Sequence, residues 1–206
     1  MINLREWLVQ LPEHRFVPLF HAEDDITVAT QITANHRRLL LRHPLMEEAM
    51  ITIVEQGLND PEWEGLLYIM GKGELPAFTP IYIGKTERRG VKHPISENIK
   101  NLRKSKHKFA RWGDGLDYHM GDLSHAMFEF VAYRPPTKKY KRWAQELFRS
   151  YDPPILKEAI NFYIVPWYKN SKGPSGLVCS LPAAEKEVIA LASVAFAETL
   201  LNVDGV

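Results

Sequence analysis

The chain has 206 residues, a length typical of one elaborated domain, so a long multidomain protein is excluded. Hydrophobic residues make up 45% of the chain and charged residues 25%, which excludes a disordered protein and indicates a globule with a sizeable core. No apolar run approaches the roughly 18 residues that span a bilayer. The amino terminus also lacks a signal-peptide pattern. We therefore expect a cytoplasmic protein without a membrane partner.

The net charge of +1 hides an uneven distribution along the chain. Residues 85–111 contain ten Lys or Arg and two acidic residues, a local charge of +8, whereas residues 1–64 contain five Lys or Arg and eleven acidic residues. A basic run is either a solvated face or a surface for a polyanion. On the second interpretation, the predicted nucleic-acid-binding residues of this run are Lys85, Arg88, Arg89, Lys100, Lys104, Lys106 and Lys108.

Residues 1–64 are predicted to form a helical extension, because apolar residues recur at helical spacing over 4–11, 26–41 and 45–57. Pro44 and Gly57 suit the first and last turns of the third segment. Two helices joined around Arg42 and His43 would fit a helix-turn-helix, although plain packing of adjoining helices is the commoner arrangement.

From Gly65 onward the pattern changes to that of an α+β domain over residues 65–206. The runs GLLYIM and IYIGKT bracket a segment rich in Gly and Pro, which predicts a hairpin with a long loop. A helix is predicted over the basic residues 94–105, and a strand or helix over 128–133. Further along, the sequence predicts a helix from 138, a strand over 160–168 that ends or lies at an edge because of Pro166, and a long helix from 181.

The two halves of the hairpin carry a recognisable pair of motifs. Tyr68 lies in the first strand, and Tyr82, Ile83 and Gly84 follow in the second. This arrangement resembles the GIY-YIG nuclease motif, although the first half reads LLY, with Gly65 one place earlier than the pattern. The resemblance implies a single α+β domain in which a small mixed sheet is flanked by helices, with the amino-terminal extension over 1–64 and an internal helical insertion at about 104–158.

The resemblance continues in the last predicted helix. Family members place a catalytic glutamate early in this helix, in the pattern Glu-x-x-apolar-Ile, and an asparagine at its end. Glu185 fits the first position and Asn202 the second, where the family implies a contact near the site or with nucleic acid. Glu187 is a rival for the first position, but Glu185 lies three and four residues before the apolar Val188 and Ile189 and so is expected to project toward the core.

The family also carries a catalytic arginine on the helix after the second tyrosine. We favour Arg103, because residues 95–104 are the most helical part of that segment. Spacing does not choose among the arginines, and the alternative catalytic residues are Arg88, Arg111, Lys85, His107 and His119. A different interpretation takes Trp112, Asp114, Asp117 and Asp122 as part of a carboxylate cluster for a metal, but their spacing does not match a calcium loop.

The chemistry of phosphodiester hydrolysis agrees with the resemblance. The reaction needs an activated water, stabilisation of negative charge at phosphorus and protonation of the leaving oxygen. Glu185 is the expected ligand of one Mg²⁺ or Mn²⁺, whose other positions phosphate oxygen and water fill. Tyr68 or Tyr82 acts as a base only where a nearby cation lowers its pKa, and otherwise orients water and phosphate.

The expected function is metal-dependent endonucleolytic cleavage of DNA, by family analogy that of a restriction or defence nuclease. One site cuts one strand per visit, so cutting both strands requires either a homodimer or two visits. The alternatives are a non-catalytic nucleic-acid-binding module on the same fold and a nuclease acting on RNA or single strands.

Overall fold

The computed structural model describes residues 4–10, 15–111, 119–129 and 135–202, which form an α+β fold. The helices are α1 (Leu4–Gln10), α2 (Pro44–Leu58), α3 (His119–Phe128), α4 (Lys138–Leu147) and α5 (Leu181–Ala195). The strands are β1 (Arg15–Pro18), β2 (Thr30–Ile32), β3 (Arg38–Leu40), β4 (Trp63–Lys72), β5 (Thr79–Glu87), β6 (Phe148–Tyr151), β7 (Pro154–Leu156) and β8 (Ile160–Tyr168). A 3₁₀-helix spans Lys106–Arg111. Within these ranges, no helix is both long enough and apolar enough to cross a membrane.

The main sheet has four strands in the order β1-β8-β4-β5. Every neighbouring pair in it is antiparallel, so the expectation of a mixed sheet is wrong although the α+β class is confirmed. The predicted hairpin is present as β4 and β5, and β5 forms one edge of the sheet. Two further sheets have two strands each, β2 with β3 and β6 with β7.

The register of the hairpin separates two hydrophobic cores. Tyr68 pairs with Gly84, and this face of the sheet packs against α2, α3 and α4. Leu67 pairs with Lys85, and on this opposite face Leu67 and Ile83 pack against α1 and α5. Because side chains alternate along a strand, neighbouring residues of the motif belong to different cores.

The prediction that residues 1–64 are helical is wrong between α1 and α2. Residues 15–18 form β1, which pairs with β8 in the main sheet. The expected helix over 26–41 is replaced by the β2-β3 hairpin, so residues 15–43 contain no helix that could complete a helix-turn-helix with α2. The turn of this hairpin places His36 at φ +57°, a left-handed conformation that interrupts a helix. By contrast, α2 begins at Pro44 and ends one residue after Gly57, as its pattern predicts.

The basic segment after β5 does not form the predicted helix over 94–105. Hydrogen bonds of helical type connect Lys100 N–H to the Ser96 carbonyl and Ser105 N–H to the Asn101 carbonyl, but Asn101 between them has φ +52°. A left-handed residue stops an α-helix, so this segment consists of turns. The family's arginine-bearing helix has no counterpart here.

The carboxyl-terminal elements agree more closely with expectation. α4 begins at Lys138, and α5 begins with Pro182 in its first turn. β8 covers the predicted residues but lies between β1 and β4 rather than at an edge. Pro166 is compatible with this position because β1 pairs only with residues 161–164. In the segment 128–133, Phe128 ends α3, and residues 130–133 lie outside the described ranges.

Candidate active site on the edge of the sheet

Three residues remote in sequence meet at consecutive positions of the edge strand β5. Asn202 bonds to Ile83, the Tyr68 ring lies over Gly84, and Glu185 lies beside Lys85. Ile83 and Gly84 belong to the motif that follows Tyr82. The structure therefore brings together Tyr68, Tyr82, Glu185 and Asn202 on one short stretch of strand.

Asn202 closes the open side of β5 in the manner of a neighbouring strand. Its Oδ1 accepts a hydrogen bond from the Ile83 N–H, and its Nδ2 donates one to the Ile83 carbonyl, both at 2.8 Å. The Leu201 N–H donates to the carbonyl of Ile81 at 2.7 Å. The family-derived expectation that Asn202 contacts the site is met, but its amide is occupied by backbone and so is not placed to bind nucleic acid.

Tyr68 and Tyr82 lie on the same face of the sheet, with ring centroids 6.4 Å apart. Tyr68 is buried, with 3% of its surface exposed, between Tyr82, Phe109 and Phe162. Its ring crosses Gly84 so closely that a Cβ there would lie 2.5 Å from the hydroxyl oxygen. The glycine of the motif is thus required by the tyrosine of the preceding strand.

Glu185 approaches the same strand from the other face. Its Oε2 lies 4.0 Å from the Lys85 ammonium, which also binds Glu87 at 2.8 Å. Burial raises the pKa of the Glu185 carboxyl, and the nearby charge of Glu87 adds to this effect. The ammonium and backbone N–H of Lys85 oppose the increase in pKa. The carboxylate therefore lies in a setting that favours an added positive charge.

A single catalytic space would need the Glu185 carboxylate and both tyrosine hydroxyls together, and this is not the arrangement found, because α5 packs on the sheet face opposite to the two tyrosines. Glu185 and the tyrosines do not surround one space on a single face. Along β5, the Tyr68 hydroxyl lies over Gly84 on one face and the Glu185 carboxylate lies beside Lys85, the next residue, on the other face.

An aromatic cluster from α3 and α4 adjoins Tyr82. The Trp143 ring lies 4.7 Å from the Tyr82 ring, and His119 contacts Tyr82 edge-on at 5.5 Å. His119 Nδ1 is hydrogen-bonded to the Tyr140 hydroxyl, and the Lys139 ammonium lies 5.7 Å from the Tyr82 ring centre. Sequence reasoning named His119 but missed the other three. Their signal was the aromatic and basic run that opens α4.

Arg103, the favoured catalytic arginine, is bound elsewhere. Its guanidinium pairs with Glu55 at 2.8 Å and Glu48 at 3.2 Å, both on α2. These ion pairs raise the pKa of Arg103. Arg103 is thus held by α2, and its ion pairs do not include Glu185.

The alternative arginines have other contacts. Arg88 caps the end of α2 by donating to the carbonyls of Leu58, Asp60 and Trp63. Arg89 lines a cleft of about 740 Å³ at the start of α5. The side chain of Arg111 lies outside the described part of the chain. Among the alternatives, only Lys85 and His119 are placed beside the residues of the edge site.

His107 lines a separate cavity of about 570 Å³ with Arg42 and Met120, so it does not join the site either. Glu187, the rival of Glu185, accepts a hydrogen bond from the Ser175 N–H at 2.5 Å. That contact fixes the loop before α5 and leaves Glu185 as the glutamate of the site.

Several lysines of the basic segment lie beside acidic side chains. Lys106 binds Glu47 of α2 at 2.9 Å, and Lys100 and Lys108 lie 3.3 and 3.9 Å from Glu97. Lys104 is exposed. Acidic residues of the amino-terminal region and the +8 segment are thus partners of each other, which weakens the case for this segment as the main polyanion surface.

The donor set fits a divalent cation held by a single carboxylate. Glu185 has 21% of its side chain exposed, and its charged neighbours are the carboxylate of Glu87 and the cations Lys85 and Lys186, so a metal would bind the carboxylate in competition with these lysines. The described residues contain no group of three or more His, Cys, Asp or Glu that would cage a metal. Asp122 is buried in α3, whereas Trp112, Asp114 and Asp117 of the suggested carboxylate cluster lie outside the described ranges.

Comparisons of the chain with protein-family models, curated proteins and solved structures found no match.

Proposed function

We propose that the protein is a metal-dependent nuclease of GIY-YIG type that cleaves DNA at the edge of β5. The observation that carries the proposal is the meeting of Asn202, Tyr68 and Glu185 at Ile83, Gly84 and Lys85. Tyr68 lies over Gly84 as its cross-strand partner in the hairpin, whereas Glu185 and Asn202 reach the neighbouring positions of β5 from a distant part of the chain. The proposal rests on this geometry and on the motif pattern.

The roles follow from the contacts. Glu185 would hold Mg²⁺ or Mn²⁺, which supplies Lewis-acid stabilisation of the negative charge on the phosphate. Lys85 is the cation beside Glu185, so we assign it the role first given to Arg103. Tyr82 is half-buried on the edge strand, and its hydroxyl is proposed to orient the attacking water. His119 lies against the Tyr82 ring, where it is proposed to position that tyrosine.

Incubation of the purified protein with supercoiled plasmid tests the proposal. Nicked or linear products are expected with Mg²⁺ or Mn²⁺ and intact plasmid with EDTA. Glu185→Gln should abolish cleavage and Glu187→Gln should retain it, because Glu187 binds the Ser175 backbone. Equal cleavage by the wild type and Glu185→Gln, or none by the wild type in either metal, would contradict the proposal.

The non-catalytic binding module is the second candidate, and one observation favours it. Tyr68 is only 3% exposed, which is expected of a packing residue and less so of a group that touches substrate. DNA binding without cleavage in both metals would support this alternative.

A further inference from the structure

The first two turns of α4 carry a basic face that lies next to the candidate site. Lys138, Lys141 and Arg142 follow the spacing i, i+3, i+4, which places them on one side of the helix. Lys138 and Lys141 are exposed. Among the described residues, neither forms an ion pair, in contrast to Lys106 and Arg103 of the segment 85–111.

Helix stability does not explain these cations. Lysine in the first turn of a helix opposes the positive end of the helix dipole. The first turn of α4 has no acidic residue, and the N-cap Thr137 makes no side-chain capping bond. A cluster of unneutralised positive charge at this position raises the free energy of the isolated fold, and an anionic partner would lower it.

The basic face is connected to the edge of β5 by direct contacts. The Arg142 guanidinium donates to the Leu200 carbonyl at 3.4 Å, and the adjoining Leu201 and Asn202 bond to β5. Lys139 lies over the Tyr82 ring. A phosphate backbone bound along α4 would thus run toward Tyr82.

We propose that the basic face of α4, formed by the exposed Lys138 and Lys141 and the half-buried Arg142, binds the phosphate backbone of duplex DNA. Proteins that bind single strands offer aromatic rings on which bases stack. The rings that α4 carries, Tyr140 and Trp143, are buried with 7% and 1% exposure, so among the described residues this helix presents charge rather than rings for stacking. That this face binds the substrate of a nuclease rests on the proposed function. That it binds duplex DNA does not.

The test measures binding without cleavage. Affinity for a short labelled DNA duplex is measured by fluorescence anisotropy across a salt series, in EDTA and in a Glu185→Gln background. The test variant is Lys138→Gln with Lys141→Gln. The matched control is Lys72→Gln with Lys169→Gln, which removes the same charge from two lysines that each pair with a glutamate of their own, Glu158 and Glu62. Circular dichroism confirms that both fold.

Loss of two phosphate contacts should reduce the log–log salt slope by about 1.8 and weaken binding about tenfold at moderate salt. The control should change affinity less than about twofold, because its lysines are already neutralised. Equal affinity of the test and control variants would overturn the proposal. So would a loss of affinity confined to single-stranded RNA.

The outcome also separates this proposal from the nuclease assignment. A test variant that loses duplex binding, in a protein that never nicks plasmid, supports the α4 surface and refutes the nuclease. Plasmid cleavage together with unchanged duplex affinity of the test variant refutes the surface and leaves the nuclease intact.

Discussion

The ring of Tyr68 occupies the space that a side chain at Gly84 would need, with 2.5 Å between its hydroxyl oxygen and the position of a Cβ. Gly84→Ala should therefore destabilise the protein by about 1–3 kcal/mol through overpacking. Urea denaturation of Gly84→Ala, Tyr68→Ala and the double variant measures the coupling free energy between the two positions. The cost of Gly84→Ala should fall by more than about 1 kcal/mol once Tyr68 is removed. Additive effects would show that the two residues do not share this space.

The amide of Asn202 carries a structural role that its replacement will reveal. Asn202→Ala removes two hydrogen bonds to Ile83 and should lower the free energy of unfolding by about 1–2 kcal/mol. Duplex affinity should be unchanged, because the amide faces the backbone of β5. Asn161→Ala is the control, since Asn161 makes one exposed bond, to the Gly73 carbonyl. A larger effect on DNA affinity than on stability would restore the nucleic-acid-binding role.

The Glu185 carboxyl gives stability a defined pH dependence. Its pKa is raised in the folded state, chiefly by burial, above the ordinary value of 4.5, so the folded protein holds this proton more tightly than the unfolded chain. The resulting stabilisation is present below that ordinary value and is lost as pH rises through the raised one. Relative to Glu185→Gln, wild-type stability in EDTA should fall as pH rises above the ordinary value of 4.5, and the difference should level off once the carboxyl is ionised. A difference that stays constant with pH would show that the carboxyl is not perturbed.

The partners of Arg103 predict a small effect of its removal. Arg103 is 53% exposed and bound to Glu48 and Glu55, and exposed ion pairs contribute little to stability. Arg103→Gln should retain plasmid cleavage, whereas Lys85→Gln should lose most of it. Initial rates of plasmid nicking at saturating metal compare the two. Loss of cleavage with Arg103→Gln alone would return the catalytic role to that arginine.

The elements with long apolar patterns were predictable from the sequence, because such a pattern specifies both the type of element and the register of its side chains. Alternation in the runs around Tyr68 and Tyr82 predicts a hairpin, and Glu185 is placed by its spacing to Val188 and Ile189. The α5 pattern also leads to the asparagine that meets β5. The α+β class and the residues that meet on the edge strand therefore came from local pattern together with the family motif.

The errors arose where a single residue or a distant partner decides the structure. Asn101 and His36 adopt left-handed conformations that end a helix or form a turn, and helical spacing of apolar residues does not reveal them. The partners of Arg103 lie about fifty positions away on α2, so a count of charge within the basic segment overlooks its neutralisation. The side of the sheet that receives α5 depends on the packing of the whole core.

The bonds from Leu201 and Asn202 to β5 also affect self-association, because they cover an edge of the main sheet. An uncovered edge strand is a template for pairing with another chain. β5 would present such an edge with Ile81, Tyr82 and Ile83 in series, a β-prone run without charge. Residues 200–202 therefore complete the candidate site and also block edge-to-edge aggregation. A chain lacking them would expose the candidate site and the edge of β5 at once.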